Sequence, residues 1–377
     1  MELKKVSVFT SDILFTGFYG QKNTGDDAFV EVAAWGAKQY WQVERPTFLA
    51  RKNSLPITQN TMKGYPFTLP RSYHLQNQLL LRNTKCLISA GGSTIHSRLA
   101  KRNIKAMATE RKRNGGNLKL GAIGVSIGPF KNTGDEKAVA VYLKDLDFLA
   151  VRDQQSFEYV EQLDLPYKPV NAFDLAALLP EIYTSKPDTQ REDGRKVIGI
   201  SVCPYESISN PGAIANEQKR HRMLCELLAD IQKKQNVHFK FLEINGHARI
   251  GDLELTKRTI ADAKLKNFEI VPYQRETMAM WNEVNSCDFM ISTRLHAAIF
   301  ACFAGVPFIL NEYHRKCADF LNTVGYHENY RIYDSEYSIE ETSSMIVKAV
   351  NREKFIEPSK KESVRSKARL NFTGVEF

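Results

Sequence analysis

The chain has 377 residues, 43% of them hydrophobic and 25% charged. That length fits two domains with buried cores, and the balance excludes a disordered or fibrous chain. The apolar runs stay short of the ~20 residues a membrane span needs, and Met1 to Lys5 lacks the apolar core of a secretory signal, so the expected setting is the cytoplasm.

Short β-branched or apolar runs alternate with helical patterns, the signature of βαβ units and parallel sheets. In the first half the runs Ile13–Phe18, Cys86–Ala90, Leu120–Ile127 and Phe148–Val151 predict strands. Asp27–Tyr40, Thr94–Arg113, Asp135–Leu143 and Gln154–Leu163 predict helices. Arg45 to Leu75 holds four prolines and little periodicity, and stays unassigned. From Tyr183 to Lys196 the chain turns polar and charged, as a linker does. Beyond it the alternation restarts. Strands are expected at Val197–Val202, His238–Glu243, Phe268–Val271, Asp288–Ile291 and Pro307–Leu310. Helices are expected at Glu217–Lys234, Leu253–Lys264, Arg275–Val284, Leu295–Ala304, Lys316–Val324, Ile339–Asn351 and Lys360–Leu370. The reading is α/β: two Rossmann-like domains, 1–182 and 197–350, facing across a cleft, with 351–377 packing back on the first.

The six cysteines are scattered, without metal-type spacing, which points to reduced core thiols and to no metal site. The formal net charge of +9 implies an acidic partner. Much of it is local: between Arg98 and Arg113 stand seven bases and one acid, Glu110. On one helix, Arg98, Lys101, Arg102, Lys105 and Lys112 would share a face. Such a face is either solvated or docks on anionic lipid heads at the inner membrane surface. Nucleic acid is not expected, because no aromatic interleaving or binding module accompanies the charge.

Chemistry concentrates where strands end. Gly17 to Ala28 is a Gly-rich loop between a strand and a helix, without a Walker or dinucleotide fingerprint. Its Asp26 either caps the helix or, with Asn23, meets sugar hydroxyls. Gly91, Gly92 and Ser93 form a second such turn, which holds an oxyanion or hydroxyl unless Ser93 or Thr94 only caps a helix. Arg152 ends a strand, where it can grip a carboxylate or phosphate, or pair with Asp153 or Glu158. Arg294 and His296 follow the strand around Ile291, with Gly305-Val306-Pro307 and then Tyr313, Arg315 and Lys316. A cation and an imidazole at a strand's carboxyl end, on the first turn of a helix, suit an anionic small molecule.

Together these motifs resemble the polysaccharide pyruvyl transferase family. The matching pieces are Gly20 with Asn23 to Asp26, Gly91-Gly92-Ser93, Gly124 to Gly128, Val151-Arg152-Asp153, Asp174, Arg294-Leu295-His296, Gly305-Val306-Pro307, and Tyr313 with Lys316. They run in order over roughly residues 13 to 325. The resemblance implies a fold like the GT-B glycosyltransferases. It also implies transfer of pyruvate from phosphoenolpyruvate to a sugar of a polysaccharide precursor as a ketal, with phosphate released. Arg152, His296 and Lys316 fall at the positions of the catalytic trio. Arg294, Asn23, Asp26, Gly91, Gly92, Ser93 and Tyr313 are then the substrate-binding candidates. No cofactor is expected, and the acceptor is expected to be lipid-linked. Gly-Gly-Ser stands where a third glycine is common, and His96 with the basic segment is a further departure. Two rival readings use the same residues: a GT-B glycosyltransferase taking a nucleotide sugar, and a non-enzymatic polysaccharide- or lipid-binding scaffold.

Overall fold

The computed structural model describes residues 8–69, 71–184, 194–351, 353 and 355–377. Residues 185–193, the middle of the expected linker, lie outside the described residues. The chain forms two compact units. The first comprises 1–21, 26–178 and 365–377; the second comprises 22–25 and 179–364.

The first unit is built on β1 (Ser11–Thr16), β2 (Thr47–Phe48), β3 (Thr84–Ile95), β4 (Lys119–Ile127), β5 (Phe148–Val151) and β6 (Val170–Asn171). They form one parallel sheet in the order β2-β1-β3-β4-β5-β6. Its helices are α1 (Thr24–Trp41), α2 (Tyr73–Arg82), α3 (Ile104–Arg113), α4 (Thr133–Lys144) and α5 (Gln154–Glu161). The strands are apolar on consecutive residues because both faces are buried: all of Phe148–Val151 is inaccessible or nearly so. The unassigned stretch supplies β2 and the start of α2. Two residues of strand are too few to show a period.

The second unit contains α6 (Leu179–Ile182), β7 (Lys196–Ser201), α7 (Glu206–Ser209), α8 (Ile214–Lys234), β8 (Val237–Leu242), α9 (Leu253–Asp262) and β9 (Phe268–Val271). It continues with α10 (Thr277–Asn285), β10 (Phe289–Ser292), α11 (Leu295–Ala304), β11 (Phe308–Leu310), α12 (Arg315–Val324) and α13 (Ile339–Val350). Its five strands are parallel in the order β11-β10-β7-β8-β9. Helix α11 is apolar all round, as a central helix must be, with Ala297 to Phe303 all buried. It stops at Gly305, whose left-handed φ of 78° closes the last turn.

A last helix, α14 (Lys361–Thr373), belongs mostly to the first unit. Phe372 packs 5.3 Å from the Trp41 ring and 5.5 Å from Tyr40. A side chain at Gly36 would meet the Phe372 ring at 2.2 Å, so only glycine lets the two helices approach this closely. Asn371, wholly buried, accepts from the Gly124 amide at 2.6 Å and donates to Phe173 O at 2.8 Å.

Two expectations are corrected. The glycine pair does not open a helix: Gly91 and Gly92 lie within β3, at φ 76° and 75°, and the ladder shifts register between Gly92 and Ile95. They make a bulge, where positive φ needs glycine. Ser93 and Thr94 therefore cap nothing. The following helix starts only at Ile104 and is capped by Asn103, which accepts from the Lys105 amide at 2.9 Å.

The basic segment therefore does not form one helical face. Arg98, Lys101 and Arg102 sit in the exposed loop before α3. Lys112 pairs with Asp147 at 2.8 Å and Arg113 with Asp145 at 2.7 Å. Lys105 points inward, 5% exposed, and donates to Thr94 O at 2.9 Å. Burial lowers its pKa from 10.5 to about 8.

The lowered pKa makes a pH prediction. The folded chain sheds the Lys105 proton near pH 8, while the unfolded chain holds it to about 10.5. Between these values the unfolded state binds the extra proton, so stability rises with pH through this group. Denaturant melts of the wild type minus those of Lys105→Met should show a difference that grows in the wild type's favour from pH 8 to 10, at up to ~1.4 kcal/mol per pH unit. A flat difference contradicts a buried, charge-switching Lys105.

Candidate functional site

In a parallel α/β sheet, ligands bind beyond the strands' carboxyl ends, where the strand order reverses. In the first unit the order reverses between β1 and β3. In the second it reverses between β7 and β10. The candidate residues gather at these two places, one group in each unit.

In the first unit, the β1–α1 loop is held by Tyr19, whose buried hydroxyl donates to Ala90 O at 2.9 Å. Burial first, then the nearby Asp26 charge, raises its pKa well above the usual 10. Asp26 lies in the first turn of α1 and is not its cap: Asn23 precedes the helix and accepts from the Gly25 amide at 3.0 Å. A side chain on Gly91 would strike the Phe29 ring at 2.3 Å, and one on Gly92 would stand 3.9 Å from Asp26 Oδ1. The β3 bulge and the start of α1 are thus side by side.

Arg152 follows β5 and spreads its guanidinium over the same region. Nη1 donates to Asp174 Oδ2 at 2.8 Å, Nε to Ser126 Oγ at 2.8 Å, and Nη2 to Ser93 Oγ at 3.4 Å. The guanidinium carbon lies 5.9 Å from the centre of the Phe29 ring. The ion-pair partner is therefore Asp174. Asp153 instead caps α5, accepting from the Ser156 amide at 2.8 Å. Arg152 is 11% exposed and Asp174 5%. The pair is a fixed, nearly dry cation rather than a mobile surface charge. Ser126 and Asp174 support Arg152; both fall within the matching motifs, but the sequence did not reveal their contact with it.

In the second unit, segment 22–25 joins the sheet side. Thr24 N donates to Ile244 O at 2.9 Å and Gly246 N to Lys22 O at 2.8 Å, so Asn23 faces Asn245. Gly25 faces His296: a Cβ there would fall 2.1 Å from Nδ1. No other residue at 25 leaves that imidazole in place. His296 stands on the first turn of α11, and Arg294 is the N-cap residue, at φ −77° and ψ 121°. The two are spaced across the helix boundary and can serve one site.

Arg294 is bound through Nε to Asp252 Oδ1 at 3.0 Å, and its Nη2 donates to the same oxygen. Asp252 Oδ2 accepts from the Asn245 amide at 2.8 Å. The carboxylate is wholly buried. Burial raises its pKa, and the Arg294 charge opposes that rise. Asp252 is a site residue that the sequence did not flag, because nothing local to it marks a buried partner 42 positions away. Beside it, burial raises the Cys203 thiol while Arg294 and Lys316 pull it down, which places both cations around that sulfur. Tyr313 lies with its hydroxyl 3.7 Å from Cys203 Sγ and with the Arg220 guanidinium 4.8 Å above its ring. Burial raises its pKa far above 10. Arg220 is itself clamped by Glu206 at 2.8 and 2.9 Å. Lys316 is exposed, on the first turn of α12, whose cap His314 accepts its amide at 3.2 Å. Burial and the Lys316 charge lower the His314 pKa below 6.5, so this ring stays neutral at pH 7.

The second unit thus brings Asn23, Arg294, His296, Tyr313 and Lys316 into one network. The first brings Asp26, Gly91, Gly92, Ser93 and Arg152 together. Both are polar, cationic and ringed by helix N-termini, an arrangement suited to acidic groups and hydroxyls.

Removing one member of a buried ion pair leaves an uncompensated charge, at about 3–5 kcal/mol. Asp252→Ala should therefore lower the stability measured by denaturant unfolding by that amount. Asp252→Ala combined with Arg294→Met should recover most of the loss. A loss below ~1 kcal/mol in the single variant contradicts the burial of the pair.

The chain's sequence matches no curated protein. Its fold matches solved structures: UDP-GlcNAc 2-epimerase from Neisseria meningitidis bound to UDP-GlcNAc (TM-score 0.56, 8% identity, 96% of each chain covered); MnaA of S. aureus with UDP (0.58, 9%, 96% of this chain and 90% of that one); and HepE of Anabaena with UDP-glucose (0.54, 11%, 96% and 94%). At such identities the likeness shows the fold, two parallel α/β sheets of the GT-B kind. The family model described as polysaccharide pyruvyl transferase matches residues 23–315. That stretch holds every candidate above except Lys316, one residue past its end. The chain belongs to the polysaccharide pyruvyl transferase family.

Proposed function

We propose that the protein transfers pyruvate from phosphoenolpyruvate onto two hydroxyls of one sugar in a polysaccharide precursor, forming a ketal. The observation that supports it is two carboxylate-held arginines, Arg152 in the first unit and Arg294 in the second, with Lys316 exposed in the second, in a chain of this family. Phosphoenolpyruvate carries a carboxylate and a phosphate, so it needs cations for both, and guanidinium suits either group. Arg152 in the first unit, and Lys316 with Arg294 in the second, are each suited to such a group. A proton added to the enol methylene makes C2 electrophilic. A sugar hydroxyl attacks C2 and gives up its proton. Phosphate leaves, a second hydroxyl closes the ring at C2, and its proton is released. His296 is the proton carrier, because imidazole exchanges protons near neutral pH. Gly25 keeps its ring in place. Asn23, Asp26 and Tyr313, with the Gly91–Ser93 bulge, orient the sugar. The acceptor is a lipid-carried or nucleotide-activated unit modified in the cytoplasm before export. Among the described residues no helix is long and apolar enough to cross a membrane.

A second reading, glycosyl transfer from a nucleotide sugar, draws on one observation: structures of this fold hold UDP or a UDP-sugar. At 8–11% identity that speaks for the fold and not for this chain's ligand.

The test is turnover with a saccharide panel, read by phosphate release and by a product heavier by pyruvate less water. His296→Ala should abolish both while its thermal melt stays near that of the wild type. On the general scale of acid–base catalysis the loss is 10²-fold or more, roughly to 10⁴-fold. Near-normal turnover removes His296 from the mechanism. Gly25→Val should resemble His296→Ala, because its side chain occupies the imidazole's space.

A further inference from the structure

Three side chains of metal-ligating type meet in the second unit, none of them assigned above. His221 and Cys225 lie one turn apart on α8, and Asp262 ends α9. Their ligand atoms all fall within 4.8 Å of one another. His221 Nε2 is 2.8 Å from Asp262 Oδ2, and Cys225 Sγ is 3.6 Å from the same Nε2. In a hydrolase triad the acid and the nucleophile use opposite nitrogens of the imidazole. Here Cys225 Sγ is also 4.0 Å from Nδ1, so the thiol lies against the ring, and the three groups form a cluster instead of a relay.

The other ring nitrogen faces a support. His221 Nδ1 is 3.4 Å from Thr259 Oγ1. That hydroxyl already donates to Leu255 O at 2.8 Å, so toward the ring it can only accept. An Nδ1–H donated to that oxygen would leave the Nε2 lone pair for a cation. A hydrogen-bonded second nitrogen that fixes the tautomer is the usual support of a metal-binding histidine.

The geometry suits a tetrahedral ion. Bond lengths of ~2.0 Å to nitrogen and oxygen and ~2.3 Å to sulfur give edges of about 3.3 Å (N–O) and 3.5 Å (N–S). The N–S separation of 3.6 Å is of the right size, and Cys225 must turn from the ring toward the outer side of Nε2 to reach the ion. The N–O separation must open by about half an ångström, and Asp262, with half its side chain exposed at a helix end, is free to swing. Arg258, whose Nε is 3.4 Å from Asp262 Oδ2, must yield, and it is 61% exposed. The buried thiol is held protonated, with a pKa pushed up to about 12, and a bound ion would stabilise its thiolate.

We propose that His221 Nε2, Cys225 Sγ and an Asp262 oxygen bind one borderline-soft divalent cation of the zinc class, with solvent as the fourth ligand. Imidazole, thiolate and carboxylate favour zinc over calcium or magnesium. The ion joins α8 to α9, a structural clasp independent of pyruvyl transfer. Binding releases the thiol proton.

The test is titration of the full-length, reduced, chelator-treated protein with Co²⁺, followed by Zn²⁺. A thiolate-to-cobalt charge-transfer band should saturate at one equivalent, disappear with Zn²⁺, and be absent in Cys225→Ser. Asp262→Asn, at a half-exposed position that leaves folding intact, should bind on the order of tenfold or more weakly. Zn²⁺ should also raise the unfolding temperature of the wild type above that of Asp262→Asn. Absence of the band in the wild type, its survival in Cys225→Ser, or equal affinity in Asp262→Asn would overturn the proposal.

Discussion

In each unit the candidate group depends on an arginine held out of water by a carboxylate. Arg152 on Asp174 and Arg294 on Asp252 are the two that matter most, and Arg220 on Glu206 repeats the device. A buried pair of this kind contributes little net stability, because desolvation offsets most of the attraction. What it provides is position. A lone arginine near a sheet edge would sweep through many rotamers. One fastened by a carboxylate, as Arg152 also is by Ser126 and Ser93, presents its remaining N–H groups in one direction. A dianionic ligand then meets cations that need no ordering, which preserves binding energy.

Position also requires close approach of backbone. Gly25 lets a main chain lie against His296, and Gly91 lets the β3 bulge lie against Phe29. Both occur beside a topological switch point, where neighbouring loops diverge and leave room for a ligand. The helix starting at Leu295 and the helix starting at Arg315 add the positive ends of their dipoles to the charge of Arg294 and Lys316. Fold, charge and backbone thus favour the same class of guest, a small molecule with acidic groups.

Much of this was legible in the sequence because parallel strands buried on both faces are continuous apolar runs. The strand Phe148–Val151, buried throughout, ends where the pattern does, and so does the buried helix Leu295–Ala304. The errors have physical causes. Thr94–Arg113 carries a helical pattern throughout, yet Gly91 and Gly92 extend the preceding strand to Ile95, so the helix starts ten residues late. Strand β2 is two residues long and shows no period. Arg152, Arg294 and His296 were readable because strand ends advertise themselves. Asp252 was not, and although Asp174 stood among the motifs its pairing with Arg152 was not readable, because pairing across 22 and 42 residues is decided by tertiary packing. The same holds for Cys225 with Asp262: on separate helices, they share no motif spacing.

Thermal unfolding with phosphoenolpyruvate, UDP and inorganic phosphate, each at equal concentration, tests the central claim most directly, with wild type beside Lys316→Ala. Lys316 is exposed, so the variant should fold as the wild type does. A ligand at 100 times its Kd adds about 2.7 kcal/mol. The account predicts stabilisation by phosphoenolpyruvate beyond that by phosphate or UDP, with most of it lost in Lys316→Ala. Stabilisation by UDP with none from phosphoenolpyruvate would contradict it and assign the cations to a nucleotide sugar.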